Sequence, residues 1–342
     1  MKALVYHGPK VFGIEEKPLP SIGEKELLIK VLSVGICPTD VRIMHYGSSV
    51  MKPPVIMGHE VAGIVEEVGE GIEKFAKGDV VALPADAPCM GCETCRRGFH
   101  NMCENLLSIG YNVDGGYAEY MRVPRRFVEY GLVFKLPKDV DHASVALAEP
   151  VAAVLEGLKW SRVGLGKSIA IIGDGPNALI ALQISRVAGA KPIIVSGITP
   201  ERLEIAKKLG ADYVINAREE PAKEKILKLT GGVDIAFVSV GLPETIKLGL
   251  EVARKGGMVH IFGGAKKGTT VEIDPNILHY NQIIFTGATG YTPRTYEEAL
   301  CLILNGIVKI RPLISHELPL EKILDGIALV KEWKGLKVVV HP

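Results

Sequence analysis

The chain has 342 residues, 47% of them hydrophobic, with 40 Lys+Arg against 39 Asp+Glu and a formal charge of +1. That length accommodates two domains of ~100–200 residues each, and the even charge balance gives no field favouring nucleic acid or an anionic membrane. No apolar run approaches the ~20 residues that span a bilayer, and the opening MKALVYHGPK lacks a signal peptide's apolar segment, so a soluble, cytoplasmic protein acting on a small neutral molecule is expected.

Residues 1–151 carry short β-type runs, such as LLIKVLSVG (27–35) and VAGIVEEVGE (61–70), separated by Gly and Pro, and predict a β-rich domain. Four of the six cysteines crowd into CMGCETCRRGFHNMC (89–103), which suits a metal site in a reducing compartment better than a disulfide framework. The C-x2-C-x2-C-x7-C spacing lets Cys89, Cys92, Cys95 and Cys103 close around one tetrahedral zinc, a structural site with no open position. Arg96 and Arg97 would place positive charge beside that dianionic centre. A nucleic-acid zinc ribbon would want a basic domain with interleaved aromatics, which this sequence lacks.

After Pro150 strands alternate with amphipathic helices. Strands are predicted at 168–173, 192–196, 212–215, 234–239, 257–263 and 282–288, with helices from 176 to 188 and near 200–209, 221–229 and 243–254. Six strands so connected make a doubly wound parallel sheet over 152–288. GDGPNA places Gly173, Gly175 and Ala178 at the G-x-G-x-x-[GA] positions, with Pro176 and Asn177 between, where a strand meets a helix; such a turn brings backbone N–H groups and a helix N-terminus to a dinucleotide pyrophosphate. Residues 289–342, with helical runs at 295–305 and near 320–333 and a terminal strand LKVVVH, are expected to rejoin the first domain.

A second, open metal site could draw on Cys37 in GICPTD, His59 and Glu60 in GHE, and Glu149 in AEP, none of them specific alone. Their setting is more telling. MGHEVAGIVEEVGEGI (57–72) resembles the signature of the zinc-containing medium-chain dehydrogenases, the alcohol dehydrogenase superfamily, and GICPTD, the cysteine lobe, DGGYAEY (114–120), AEPVA and the glycine turn follow in that family's order. Glu at AEP, where the alcohol dehydrogenases proper carry Cys, is similar to the sorbitol/polyol and threonine dehydrogenase branch.

The resemblance implies an α/β protein: a β-rich GroES-like catalytic domain plus a doubly wound Rossmann domain. It implies Cys37, His59 and Glu149 as ligands of a catalytic zinc, Glu60 as an alternating ligand or supporting group, and Thr39 as the hydroxyl that takes the alcohol proton. Three ligands leave a fourth position for the substrate oxygen, so the metal can act as a Lewis acid. Pro38 and Arg42 depart from the family's usual Gly and His; arginine cannot relay a proton at neutral pH, which leaves solvent, the cofactor ribose or His45 to complete the path. Gly197 stands where the family's NAD enzymes carry an acid on the ribose hydroxyls. NADP is therefore favoured over NAD, with Thr199 or Arg202 as contacts, while Val240 and Phe262 match positions walling the nicotinamide.

Together these readings describe reversible oxidation of a secondary alcohol (a polyol, sugar or hydroxy acid) by hydride transfer to NAD(P), in a homodimer or homotetramer. An L-threonine 3-dehydrogenase-like enzyme and a non-catalytic zinc protein retaining the fold are the alternatives. Cys301 is expected in the core, and His7, His100, His142, His260, His279 and His341 have no partner recognisable from sequence.

Overall fold

A computed structural model describes residues 1–342. The chain opens on β1 (Lys2–Gly8) and β2 (Val11–Glu16), an antiparallel hairpin, and runs through β3 (Leu27–Gly35) before β4 (Val55–Ile56) pairs with the other side of β1. β5 (Glu60–Val68) and β6 (Val80–Leu83) extend an antiparallel sheet from β3, interrupted by the short pair β7 (Asp86–Ala87) and β8 (Leu107–Ser108). β9 (Tyr120–Val123) and β10 (Phe134–Leu136) then add to β3 and β6. β3 buries seven of its nine residues, and two register shifts bend it against β5, as bulges do in strongly curved sheets.

The next segment builds a different architecture. β11 (Ile169–Ile172), β12 (Ile193–Gly197), β13 (Tyr213–Asn216), β14 (Val233–Val238), β15 (Ala253–Ile261) and β16 (Ile284–Gly287) lie parallel in the order β13-β12-β11-β14-β15-β16. Such an order requires right-handed helical crossovers on both faces, supplied by helices such as Pro176–Val187, Pro200–Lys208, Ala222–Thr230 and Pro243–Val252. β11 and β12 are wholly buried, and β11 (IAII) and the first three residues of β12 (IIV) read as apolar runs, as sheets covered on both faces demand. The helix predicted over 243–254 stops at Val252, and Ala253, Arg254 and Lys255 already belong to β15.

The chain then returns to the first sheet. Helix Pro293–Leu304 leads to β17 (Ile314–Pro319), and helix Ile323–Lys331 to β18 (Lys337–His341), which pairs antiparallel with β3 and parallel with β17. The completed order is β10-β6-β5-β3-β18-β17. Contacts divide the chain into one unit of Met1–Pro150, Tyr291–Asn305 and Ile310–Pro342, and another of Val151–Gly290 and Gly306–Lys309. Cys301 is exposed, contrary to the sequence expectation, because helix Pro293–Leu304 buries Tyr296, Ala299, Leu300 and Ile303 instead. No helix is long and apolar enough to cross a membrane.

Candidate active site

In the first unit, β3 ends at Gly35 and Cys37 caps helix Pro38–Tyr46, where the Thr39 N–H donates to its Sγ at 3.4 Å. Gly35 is paired with Glu60 across the β3–β5 ladder, which brings His59 beside Cys37. One ligand atom from each of Cys37, His59 and Glu60 lies within 4.8 Å of the others. His59 is buried, with Nδ1 3.1 Å from Asp40 Oδ1, so Nε2 is left for a metal. Asp40 is itself fully buried, and the Tyr117 hydroxyl donates to its second oxygen at 2.6 Å. Burial works against the His59 imidazolium, but the Asp40 carboxylate and the Cys37 sulfur outweigh it and hold the ring well above its ordinary range.

Glu149 lies in the first turn of helix Ala148–Trp160, outside the group of three. It is sunk among protein atoms, though part of its surface is still open to solvent. Burial, reinforced by the Glu60 charge and opposed by His59, pushes its carboxyl up to about 7. Glu60 is held by a residue that the sequence reading missed: Lys337 Nζ donates to both its oxygens, at 2.7 and 2.6 Å, and both side chains are buried. Burial alone would depress the Lys337 ammonium, yet Glu60 and then Cys37 raise it.

Hydroxyl-bearing side chains gather in the same unit. The Tyr111 ring centroid is 5.2 Å from that of His59, the Ala85 N–H donates to the Tyr291 hydroxyl at 2.9 Å, and the buried Tyr296 hydroxyl has no protein partner. Burial opposes ionisation of both Tyr291 and Tyr296 and holds their phenols well above the ordinary range, and the Glu149 charge adds to it. Asp86, partly buried, is pushed up by desolvation and stabilised by a hydrogen bond from Ser108. Thr39 is half-buried in the first turn of its helix, and Arg42 points to solvent. His45 packs near Phe12 and Tyr46, its imidazole depressed by burial and then by Lys331 and Lys10; none of these groups belongs to the metal cluster.

The four lobe sulfurs also converge, all within 4.8 Å of one another and none in a disulfide. Backbone N–H groups of Cys92 and Asn105 donate to Cys89 and Cys103 at 3.3 Å, as thiolates require. The backbone N–H groups of Gly91 and then Cys92 draw the Cys89 thiol down to about 6, whereas burial pushes Cys95 up to about 12. Four cysteines of such opposed tendency fit a cation that ionises them all. Arg96 pairs with Glu93 and Arg97 lies over Phe99, so neither is engaged by the sulfurs.

In the second unit Gly173 adopts φ +125° at the end of β11, where a Cβ would meet Ser239 Oγ at 2.2 Å. Gly175 caps helix Pro176–Val187 and faces open space, with Pro176 and Asn177 in the first turn and Ala178 buried. This is the cradle a pyrophosphate needs. At the end of β12, a Cβ on Gly197 would lie 2.5 Å from Asp174 Cβ. The Asp174 carboxylate accepts from the N–H groups of Ile198 and Thr199 at 2.8 and 2.7 Å, with Arg202 3.7 Å away. The sequence reading did not single out Asp174, whose reach to β12 depends on the pairing of β11 with β12. Val240 packs against the Gly173 turn, and Phe262 stacks on Phe237 at 5.2 Å.

A cluster of four cysteines that completes a tetrahedral set, a second cluster of three ligand groups that falls one short of it, and a dinucleotide cradle define a metal- and nicotinamide-dependent oxidoreductase. Comparison with known proteins gives the family. Residues 23–138 match the alcohol dehydrogenase GroES-like domain and residues 178–305 the zinc-binding dehydrogenase domain. The chain is 34% identical to sorbitol dehydrogenase of Bacillus subtilis (strain 168), over 100% of this chain and 97% of that protein. It is 35% identical to L-threonine 3-dehydrogenase of Bacillus velezensis, over 100% and 99%. A Sinorhizobium meliloti 1021 protein described as a zinc-binding dehydrogenase and bound to NADP superposes with a TM-score of 0.94 at 32% identity, covering 100% of this chain and 99% of that one. The chain belongs to the zinc-binding alcohol dehydrogenase family. It is a zinc- and NAD(P)-dependent oxidoreductase of secondary alcohols, with a GroES-like domain and a Rossmann domain.

Proposed function

We propose that this enzyme oxidises a secondary hydroxyl of a small polyol or sugar alcohol, with Cys37, His59 and Glu149 as the protein ligands of its catalytic zinc. The observation that carries this reading is the convergence of Cys37 and His59, with a Glu60 oxygen, in front of a buried Asp40; Glu149 is assigned as the third ligand by the family resemblance of AEP. When bound, zinc supplies Lewis acidity and the nicotinamide accepts the hydride. Asp40 fixes the ring of His59, and Thr39 Oγ1 takes the proton from the reacting hydroxyl and passes it to solvent, since Arg42 cannot. The hydroxyls of Tyr111, Tyr291 and Tyr296 supply partners for a polyhydroxylated substrate. Cys89, Cys92, Cys95 and Cys103 hold the structural zinc.

NADP is the proposed cofactor. Gly197 places no carboxylate of its own at the end of β12, and the Asp174 charge is partly compensated by two amides and Arg202, so that a 2′-phosphate would compete with Asp174 for Thr199 and Arg202. NAD is the second reading, favoured by the Asp174 carboxylate itself. Residues 1–151 with 289–342 are proposed as the catalytic domain and 152–288 as the cofactor domain. β16 ends its sheet with Ile284 and Phe285 43% and 38% exposed, an apolar edge suited to pairing with β16 of a second copy in a homodimer or homotetramer. Six free cysteines, four of them gathered as metal ligands, support a cytoplasmic setting. Steady-state assays on a panel of polyols, sugars and L-threonine with each cofactor test the assignment, together with metal analysis. Two zincs per chain and loss of turnover on chelation are expected; one zinc and no turnover with any substrate would instead mark a non-catalytic protein.

A further inference from the structure

Glu60 presents a built carboxylate seat beside the metal cluster. Its oxygens lie within ligand range of Cys37 and His59, yet both are already engaged by Lys337 Nζ at 2.7 and 2.6 Å. The two side chains are 1% and 4% exposed, so water stabilises neither charge. They descend from β5 and β18, the strands on either side of β3, and therefore from backbones ~10 Å apart. They meet over Gly35, which pairs with Glu60 on one side and Val339 on the other. A Cβ at Gly35 would fall 1.9 Å from Glu60 Oε2. Three adjacent strands thus cooperate to hold one carboxylate against a lysine.

The geometry points to Lys337 as the positioning residue that keeps Glu60 off the catalytic metal and so keeps a coordination position open for the substrate oxygen. The inference rests on Cys37, His59 and Glu149 being the metal's ligands. Removing one partner of a buried ion pair leaves an uncompensated charge in a poorly solvated site. For Glu60 without Lys337, the nearest cation is the metal. A fourth protein ligand would convert an open site into a closed one.

Cobalt(II) exchanged into the catalytic site gives a visible spectrum that reports its ligands, and azide is a suitable probe of the open position. Lys337→Met is expected to retain its metal, bind azide at least tenfold more weakly than wild type, and release cobalt to EDTA several-fold more slowly. Lys337→Arg and the double variant Lys337→Met/Glu60→Gln should recover azide binding to within about threefold. Wild-type azide affinity in fully loaded Lys337→Met would overturn the inference. So would metal loss that Glu60→Gln does not reverse, which is the behaviour of a merely structural lysine. If the unsubstituted protein holds one metal per chain, or its cobalt spectrum ignores azide, the three-ligand reading itself fails, and the role of Lys337 with it.

Discussion

His260 offers a test of the Rossmann unit that is independent of either metal. It lies on β15, fully buried, its ring stacked on Phe237 at 5.4 Å and 8°, with neither nitrogen partnered by protein. Burial alone depresses its imidazole to about 4 from an ordinary 6.5. The folded state therefore refuses a proton that the unfolded chain accepts, and stability present above pH 6.5 is lost as pH falls toward 4. At pH 5, the ratio of the two titration terms gives a loss of about 2 kcal/mol, against almost none at pH 7.5. Urea unfolding measures it: with an m-value of ~2 kcal/mol/M, the midpoint should move about 1 M further between those pH values for wild type than for His260→Leu. A Trp333→Phe background leaves Trp160, in the same unit, as the only tryptophan reporter. Because the comparison is of pH dependences, any packing defect from leucine cancels. Parallel pH profiles in the two proteins would refute the assignment of this acid lability to His260.

Two further outcomes follow from the metal clusters. Cys103→Ser should lower zinc content from two per chain to one and make the cysteine lobe a site of early proteolysis, since the four sulfurs and their amide donors hold it as a unit; unchanged zinc content would exclude Cys103 as a ligand. Asp40→Asn should cost about 10–100-fold in catalytic zinc affinity or kcat/KM by loosening the His59 ring, with the structural zinc retained, as metal analysis after mild chelation can show.

Much of the architecture is legible because it rests on local chemistry. The parallel sheet announces itself through buried apolar runs such as IAII and IIVSG, and the cysteine lobe through spacing alone. β17 escapes this reading because ISHELP is polar and alternates too weakly; its pairing with β18, not its composition, makes it a strand. Lys337 escapes for a related reason. A lysine opening a C-terminal strand looks solvated until β18 is docked on β3 and the side chain is carried over Gly35 to Glu60. His341 gains its partner, Glu317, in the same way, from the pairing of β18 with β17, whereas His7 meets Glu15 across the local β1–β2 hairpin. Residues whose role depends on one strand were visible; those whose role depends on which strands are neighbours were not.

The same logic makes cofactor choice a two-residue property. Gly197 reads as a missing acid, but the space its side chain would take is occupied by Asp174, 23 residues earlier and on the neighbouring strand's turn. Gly197→Asp alone should destabilise the Rossmann unit, because its Cβ would sit 2.5 Å from Asp174 Cβ and 2.6 Å from its Oδ2. Asp174→Gly alone should free the Ile198 and Thr199 amides and Arg202, strengthening NADP binding at the cost of the hydrogen bonds that order the turn. Combined, the substitutions return the acid to the strand end and the space to the turn, so stability should recover by about 0.5–3 kcal/mol over the sum of the single effects. Preference, measured as the ratio of kcat/KM for NADP and NAD, should shift toward NAD in the double variant and, through loss of the 2′-phosphate contact, also in Arg202→Ala. Strictly additive single and double effects on stability would mean that Gly197 and Asp174 do not share this space, and the case for reading the cofactor from either one would fall.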